Sequence, residues 1–404
     1  MDSKAHKLGP AARAAPEATL GLGCYSCAFF GPCGGTFTDF DCMSGCCGRP
    51  STCTLACPRA HGFVRVLEDC GGLSSNGNWG IQQRSPQSLP LYIPMIQHGY
   101  RRAEPLDWPI VALPTFAVTR VGATSGQIVA STDELKLRFR LGQNTRVILV
   151  SVDGDARLEN FWRKRHRHRL PEALARIGIE HITGPNFSFP INVPRTDHLT
   201  NRRRMLICCE EFSRAGLSVI PHLNGINQKD WDTWRDVLRD HKDICYVCKE
   251  FQTGGSIARI GAWHIRQVLE LEQRLGRALH LIAVGGARHL NLLVELSGYT
   301  IIDSVPFMKT CFRRVWSQTT ADWMFMRTSP GAPLNKFLLA NIGRYSELLE
   351  RSRIRLQQHQ LNFSPAISEA GDEAEGKCGA TPGAHEDSLQ LFASLTQLGG
   401  CGRL

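Results

Sequence analysis

Short apolar runs alternate with longer amphipathic segments through the central part of the chain. Eight runs rich in Val and Ile have the length of buried strands. They are Tyr92–Ile96, Ile110–Leu113, Arg146–Val152, Ile179–Ile182, Leu217–Leu223, Ile244–Phe251, Leu279–Val284 and Tyr299–Ile302. Segments with helical spacing lie between most of them, at 157–177, 198–215, 228–241, 258–275 and 287–297. Near-continuous apolar strands separated by helices predict a parallel sheet covered on both faces.

Eight such strands predict an α/β fold, a TIM-like (β/α)8 barrel over residues 90–316. An open doubly wound sheet is the alternative, because the short interval between the first two runs leaves little room for a helix. The active sites of such barrels lie at the C-terminal ends of the strands. We therefore expect the functional residues just after the apolar runs.

Polar residues and glycines follow most of the runs. They are His98, Asp153, Asp155, Asn186, His222, Asn224, Glu250, Gly285, Gly286 and Asp303. Glycines let a ligand approach the backbone closely, because they have no Cβ. An aspartate at the end of a buried strand is held rigidly, as a nucleophile or general base must be. The structural alternative is that Asp303 caps the helix that follows it.

The last two strand ends carry a more specific pattern. Val284-Gly285-Gly286 ends one strand, and Ile301-Ile302-Asp303 ends the next, with Pro306 and Arg313-Arg314 downstream. This arrangement resembles the tRNA-guanine transglycosylases and the related DNA deazaguanine transglycosylases, which are (β/α)8 enzymes. The resemblance implies that Asp303 attacks C1′ of a nucleotide and expels guanine, and that an incoming deazaguanine-type purine resolves the covalent intermediate. DNA and tRNA both stay open as the nucleic-acid substrate.

Other candidate residues receive roles within that reaction. Asp153 or Asp155 would bind the base edge or act as acid or base, and Glu250 would hold the base or orient Asp303. Hydrogen bonds to the substrate would come from His98, Asn186, His222 and Asn224. The chain lacks the Asp-Ser-Gly-Gly of that family, and Asp153-Gly154-Asp155 is its nearest substitute.

Two other functions stay open beside base exchange. A ring of carboxylates also suits Mg²⁺, which would indicate a metal-dependent hydrolase acting on nucleic acid or nucleotides. The segments 184–188 and 221–225 resemble a little-characterised bacterial and phage family, which implies the fold but no reaction. A nucleic-acid-binding protein without catalysis is the third class.

Cysteines are concentrated near the N-terminus. The eight candidate metal ligands are Cys24, Cys27, Cys33, Cys42, Cys46, Cys47, Cys53 and Cys57. In a reducing compartment, this density favours metal over disulfides, and eight thiolates suit tetrahedral zinc. Cys53-x3-Cys57-Pro58 also resembles the end of a ferredoxin motif, so an iron-sulfur cluster is the alternative.

The composition of the chain predicts the class of its binding partner and its compartment. The 404 residues carry 47 Lys and Arg against 37 Asp and Glu, which gives 47 − 37 = +10. Five of the basic residues lie in the run 163–169, which predicts contact with nucleic-acid phosphates or a solvated helix face. No apolar run is long enough for a membrane helix, and the N-terminus lacks the apolar stretch of a secretory signal, which predicts a cytoplasmic protein. The oligomeric state stays open.

The expected organisation has six parts. They are a disordered start (1–20), a cysteine-rich metal module (21–75), a linker (76–89), the barrel (90–316), a helical extension (317–362) and a mostly disordered tail (363–404).

Overall fold

The computed structural model describes most of the chain between residues 27 and 363. The described residues are 27–35, 42, 49–84, 88–119, 128–190, 193–253, 258–317, 322–326 and 332–363. The segments predicted to be disordered, 1–20 and 363–404, lie outside these residues, apart from Phe363 at the end of the last helix.

All eight apolar runs form strands. Their bounds are β1 Tyr92–Pro94, β2 Ile110–Pro114, β3 Arg146–Val150, β4 His181–Thr183, β5 Val219–Ile220, β6 Tyr246–Glu250, β7 His280–Val284 and β8 Gly298–Asp303. The strands form two four-stranded sheets, in the orders β1-β8-β7-β6 and β2-β3-β4-β5, and every pairing within them is parallel. The predicted α/β fold with parallel strands is confirmed.

The two sheets meet at both of their edges. One isolated parallel bridge joins Met95, just after β1, to Ala112 in β2. A second joins His222, just after β5, to Cys248 in β6. Because all eight strands run in the same direction, their carboxyl ends lie on one side of the molecule, which we call the rim.

The two faces of the strands belong to different hydrophobic clusters. The inner cluster takes residues from both sheets, and these are Ile93, Met95, Ile110, Ala112, Ile148, Val150, Ile220, Tyr246, Cys248, Ile282, Val284 and Ile302. The larger outer cluster joins the other strand face to the helices. Successive strand side chains point to opposite faces, so Ile302 lies in the inner cluster and Ile301 in the outer one. The sheets therefore pack on each other through the inner cluster.

Helices connect the strands. Their bounds are α1 Phe30–Cys33, α2 Phe63–Cys70, α3 Thr115–Thr119, α4 Thr132–Phe139, α5 Asp155–Lys164, α6 Leu170–Ala175, α7 Arg195–Arg214, α8 Gln228–Asp240, α9 Ala258–Leu275, α10 Leu290–Leu293, α11 Val305–Cys311 and α12 Asn335–Phe363. The single helix predicted at 157–177 is wrong, since two helices occupy that segment. Arg169 has a left-handed φ of 47° between them, and Pro171 lacks the N–H that a continuous helix would need.

The N-terminal segment packs against α7 and α8. Arg195 donates hydrogen bonds to the carbonyl oxygen of Cys33 at 2.9 Å and to Oδ1 of Asp230 at 2.8 Å. Arg202 donates to the same Asp230 oxygen at 2.5 Å. The hydroxyl of Thr196 donates to the carbonyl oxygen of Ala56 at 2.5 Å. A buried charged network thus holds this segment on the helices.

Residues 79–83 do not form a free linker, which corrects the interpretation of 76–89. Trp79, Ile81 and Gln83 are buried in alternation with exposed neighbours. The Gln83 amide donates to the carbonyl oxygens of Val219 and Tyr246, at 2.9 and 3.0 Å, so its side chain joins β5 to β6. In the sequence this alternating stretch is hard to recognise, because it is short and both of its flanks are rich in Gly, Ser and Pro.

The C-terminal part adds an antiparallel hairpin and a long helix. Strands β9 Arg314–Ser317 and β10 Asp322–Phe325 pair with each other, and α12 packs against α11 and β9. None of the helices within the described ranges is long and apolar enough to cross a membrane.

Candidate functional site

A cavity of about 1120 Å³ lies beside segments that follow β1, β2 and β3. We call it the rim cavity. Four segments line it, namely 97–102 after β1, 116–117 in α3, 134–140 in α4 and its end, and 156–160 in α5. Segments 97–102, 116–117 and 156–160 begin three, two and six residues after a strand end, whereas 134–140 precedes β3. Ligands of α/β folds often bind in the region that follows the strand ends.

Positive charge dominates the wall of the rim cavity. Five arginines line it, and these are Arg101, Arg102, Arg138, Arg140 and Arg157. Among the described residues that line it, Glu134 is the one carboxylate. Arg157 also pairs with Asp153, between Nη1 and Oδ2 at 2.9 Å, while the Arg157 side chain stays 63% exposed. The excess of guanidinium groups suits a ligand that carries several negative charges.

Arg102 holds two walls of the rim cavity together. Its guanidinium donates hydrogen bonds to the carbonyl oxygens of His98, Phe139 and Arg140. Burial lowers the pKa of Arg102 to about 10, so the side chain keeps its charge at neutral pH. Arg101 and Arg140 both adopt a left-handed φ, of 59° and 48°. Arg140 is the C-cap of α4, where a left-handed residue commonly ends a helix.

An exposed aromatic ring lies beside these charges. Tyr100 is 70% exposed, and its ring centroid lies 5.0 Å from that of His98 at an interplanar angle of 34°. On its other side His98 meets Phe307 edge-on, with ring centroids 4.9 Å apart. Burial lowers the pKa of His98, and the nearby Arg102 and Arg101 lower it further. His98 is therefore a neutral support for Tyr100 at neutral pH.

Asp303 does not share the rim cavity. Ile302 points to the inner cluster, so Asp303 follows Ile301 to the outer face, where its side chain is 7% exposed. Oδ1 accepts a hydrogen bond from the Val305 N–H at 2.8 Å, and Oδ2 accepts one from the Tyr345 hydroxyl at 3.2 Å. Burial raises the pKa of Asp303, and these two donors oppose that effect. The carboxylate thus links β8 to the first residue of α11 and to α12.

The other predicted catalytic carboxylates also have local donors. Asp155 accepts from the Ser188 hydroxyl at 2.5 Å. Asp153 accepts from the Gly154 N–H at 2.7 Å as well as from Arg157. Glu250 accepts from the Thr253 N–H and hydroxyl, at 2.7 and 3.0 Å, and so closes the loop after β6. Of these three residues, Asp153 approaches the rim cavity through its partner Arg157.

Several predicted substrate-binding residues lie together after β4, β5 and β6. The Asn224 amide donates to Oδ1 of Asn186 at 2.9 Å, and Lys249 Nζ donates to Oδ1 of Asn224 at 3.3 Å. His222 is fully buried, and within the described part of the chain neither of its ring nitrogens has a hydrogen-bond partner. Burial lowers the pKa of His222 well below its usual value, and Lys249 adds to the effect.

Lys249 is the residue of this group that the sequence analysis missed. It lies inside β6, and only 7% of it is exposed. Burial lowers the pKa of Lys249 to about 8. A lysine within an apolar strand run is an unusual signal, because lysine is rarely buried without a partner, and that signal could have identified it.

Gly285 and Gly286 have structural reasons for lacking a side chain. Gly285 has a left-handed φ of 74°, and a Cβ there would meet the Gln252 side chain. A Cβ on Gly286 would collide with the Cβ of Ala283 at 2.6 Å. Both glycines thus allow the chain to turn sharply after β7.

The zinc prediction falls partly outside the described residues. Cys24, Cys46 and Cys47 lie there. Among the residues that are described, no three His, Cys, Asp or Glu side chains come close enough to hold a metal ion. Zinc and the alternative iron-sulfur cluster both stay predictions.

No protein-family model matches the chain, and no curated protein matches it. The resemblance to the transglycosylases therefore stays a prediction from the residues that carry it.

Proposed function

We propose that the protein binds the phosphate groups of a nucleotide ligand in the rim cavity, at the C-terminal end of a closed (β/α)8 barrel. The observation that carries this proposal is the wall of the cavity, with five arginines and one glutamate. Guanidinium groups form charge-assisted, often bidentate hydrogen bonds to phosphate oxygens. The net charge of +10 favours the same class of ligand.

Two features of the strands support barrel closure. The bridges Met95–Ala112 and His222–Cys248 connect the sheets at both edges, which gives the cyclic strand order of a barrel. The inner cluster takes side chains from every parallel strand except β4. Alternate residues that point to a shared interior are typical of eight-stranded parallel barrels.

Tyr100 supports a nucleotide rather than a simple phosphorylated metabolite. Its exposed ring contacts the ring of His98, and both residues line the rim cavity together with Arg101. A base stacks well on an exposed aromatic ring, whatever its sequence. Phosphate contacts from the arginines and stacking on Tyr100 would together bind one nucleotide unit.

Catalysis by base exchange has less support from the geometry. Asp303 would have to attack a sugar, yet its carboxylate is engaged by Val305 and Tyr345 on the outer face of β8. A nucleophile must reach the reacting atom of a bound substrate. Base exchange in nucleic acid thus stays a prediction from the resemblance, separate from phosphate binding in the rim cavity.

A direct binding measurement tests the proposed function. The probe is a 5′-phosphorylated thymidine dinucleotide with a fluorescent label, and its anisotropy reports binding. In the double variant Arg101→Gln/Arg140→Gln we expect binding weaker by about tenfold or more, since each charge-assisted hydrogen bond contributes about 1.5 kcal/mol or more.

The matched control removes the same charge elsewhere. Arg59 and Arg65 are exposed on the N-terminal segment, away from the cavity. Arg59→Gln/Arg65→Gln should bind the dinucleotide almost as well as the unchanged protein. Equal losses in both double variants would mean that overall charge, and not the rim cavity, attracts the probe, and the proposal would fail.

A further inference from the structure

The basic run at 163–169 forms an exposed surface at the end of α5. Four of its residues are exposed on consecutive positions, from His166 to Arg169, and Arg163 is exposed one turn earlier. Arg165 is different, because it is buried, lies over the Trp162 ring at 3.4 Å and pairs with Glu211 at 3.0 Å. The run therefore presents Arg163, Arg167 and Arg169 to solvent and uses Arg165 in the core.

This surface is continuous with the rim cavity. Arg157 and Asn160 of α5 line the cavity. Arg163 follows on the next turn, and its guanidinium donates to Oδ1 of Asn160 at 2.6 Å. The helix rises about 9 Å from Arg157 to Arg163, at about 1.5 Å per residue. One helix thus carries positive charge from the cavity wall to the basic run.

Nearby carboxylates neutralise this charge only in part. Glu159 pairs with Arg204 of α7 at 2.7 Å. Glu172 lies 3.5 Å from Arg169, in a pair whose side chains are 75% and 43% exposed. Such exposed pairs exchange readily and contribute little. Within the described residues, the surface from Arg157 to Arg169 keeps an excess of positive charge.

We propose that the rim cavity and the exposed arginines at the end of α5 and just after it, Arg163, Arg167 and Arg169, form one track that binds the backbone of single-stranded nucleic acid. The proposal rests on the proposed function, and it extends the ligand from one nucleotide to a polymer. When the bases are stacked, the phosphates of one strand advance by about 3.4 Å per nucleotide along the strand axis. A strand that starts in the cavity therefore needs about three nucleotides to reach Arg163, and more to reach Arg169.

A single strand fits this track better than a duplex or a membrane. Tyr100 offers a stacking surface that only an unpaired base can use. A membrane-binding helix would expose an apolar face, whereas Leu158, Phe161 and Trp162 of α5 are buried. The exposed side of α5 thus carries charge without apolar side chains that would insert into lipid.

Ligand length separates this proposal from the proposed function. The triple variant Arg163→Gln/Arg167→Gln/Arg169→Gln is titrated with the labelled dinucleotide and with a labelled single strand of about twelve thymidines, within the usual range of site sizes. The dinucleotide should bind as before. The longer strand should bind about tenfold or more weakly, and its logarithmic salt dependence should fall by about 2, at about 0.7 per lost phosphate contact.

Two controls accompany the triple variant. Arg214→Gln/Arg351→Gln/Arg355→Gln removes three exposed arginines elsewhere and should leave both affinities nearly unchanged. Replacing Arg163, Arg167 and Arg169 by Lys keeps the point charges, so it should restore most of the affinity for the longer strand.

Two results would overturn the track. Either the longer strand keeps its affinity and salt dependence in the triple variant, or a duplex of equal length competes as well as the single strand. In the first case, a loss of binding to vesicles containing phosphatidylserine would show that the basic run contacts lipid instead. Loss of dinucleotide binding in Arg101→Gln/Arg140→Gln together with either of these results would leave the proposed function standing and remove only the track.

Discussion

Two groups of arginines in this protein occupy opposite environments. Arg195 and Arg202 are buried in α7, and both donate to one oxygen of Asp230, which has no exposed surface. Among the described residues that line the rim cavity, five arginines stand against one glutamate, and Arg101, Arg140 and Arg157 are exposed. The buried pair has its counter-ion within the protein and holds the N-terminal segment in place, whereas a ligand can reach these three exposed guanidinium groups.

The different roles of the two groups of arginines follow from their burial. A buried charge is costly unless a partner and hydrogen bonds compensate it, so the α7 arginines can only be structural. An exposed excess of like charges is unfavourable for the free protein, because the charges repel each other. Such an excess at a cavity therefore indicates a ligand that neutralises it.

Removal of Asp230 tests the structural group and should have the largest effect. Asp230→Asn leaves two buried guanidinium groups without their carboxylate, and we expect a loss of about 3–5 kcal/mol in the free energy of unfolding. Urea denaturation measures it. The exposed pair partner Asp240, changed to Asn, is the control and should cost about 0.5 kcal/mol or less.

The same variant should also change the pH dependence. Burial opposes ionisation of Asp230, but Arg195 and Arg202 hold its pKa well below the usual range. A lowered folded pKa gives stability that is present above the unfolded pKa of about 3.9 and is lost as the pH falls. The gap between the protein and Asp230→Asn should therefore shrink in acid. A gap that stays constant down to low pH would contradict the ion pair.

Lys249 provides the intermediate case, a buried cation whose hydrogen-bond acceptor is the neutral amide of Asn224. Burial lowers its pKa to about 8, from the ordinary lysine value of 10.5. The unfolded chain then binds more protons between these values, so stability rises with pH across that window. Below pH 8 the lysine is charged in both the folded and the unfolded chain. Burial of its ammonium group then lowers the free energy of unfolding by about 3 kcal/mol, at about 1.4 kcal/mol per pKa unit.

Lys249→Met should therefore stabilise the protein near neutral pH. We expect a gain of about 1–3 kcal/mol at pH 7, because a methionine of similar volume fills the site without a charge. The gain should disappear toward pH 10.5, where the lysine is neutral in both states. The exposed Lys242, changed to Met, should show neither effect. Destabilisation at pH 7 would mean that the ammonium is better compensated than its pKa indicates.

The strands could be predicted from the sequence because both of their faces are buried. In β3, Ile148 belongs to the inner cluster and Leu149 to the outer one, so the run is apolar at every position. Because every position of such a strand is apolar, the sequence does not indicate which face each side chain is on. The stretch Trp79–Gln83 shows the opposite failure, since its alternation is clear but too short to stand out among Gly, Ser and Pro residues.

The candidate site was less predictable than the fold. The rule that ligands bind at the carboxyl ends of parallel strands points to the rim, yet it cannot choose among the residues there. Asp303 follows Ile301 and Ile302, which are both apolar, so the sequence gives no sign that the carboxylate faces outward. The arginines of the rim cavity come from separate segments, 101–102, 138–140 and 157, and form no local motif.

The smallest expected effects concern Asp303, and they distinguish a structural carboxylate from a nucleophile. Tyr345→Phe removes one hydrogen bond to Asp303 and should cost about 1 kcal/mol in the free energy of unfolding. Asp303→Asn keeps an acceptor for the Val305 N–H and should cost about as much or less. Burial raises the pKa of Asp303, so stability falls as the pH rises from the unfolded pKa through the folded one. Asp303→Asn should remove that dependence.

Binding and adduct formation complete the test of Asp303. The thymidine dinucleotide should bind to Asp303→Asn with unchanged affinity, because Asp303 lies outside the rim cavity. A guanine-containing oligonucleotide incubated with the unchanged protein tests for a denaturation-stable adduct by mass spectrometry. An adduct that is absent in Asp303→Asn but present in Tyr345→Phe would assign the attack to the carboxylate, since a covalent bond to the sugar needs the Asp303 oxygen and not the tyrosine. The base-exchange prediction would then hold, and the outward orientation of Asp303 would have to change when substrate binds.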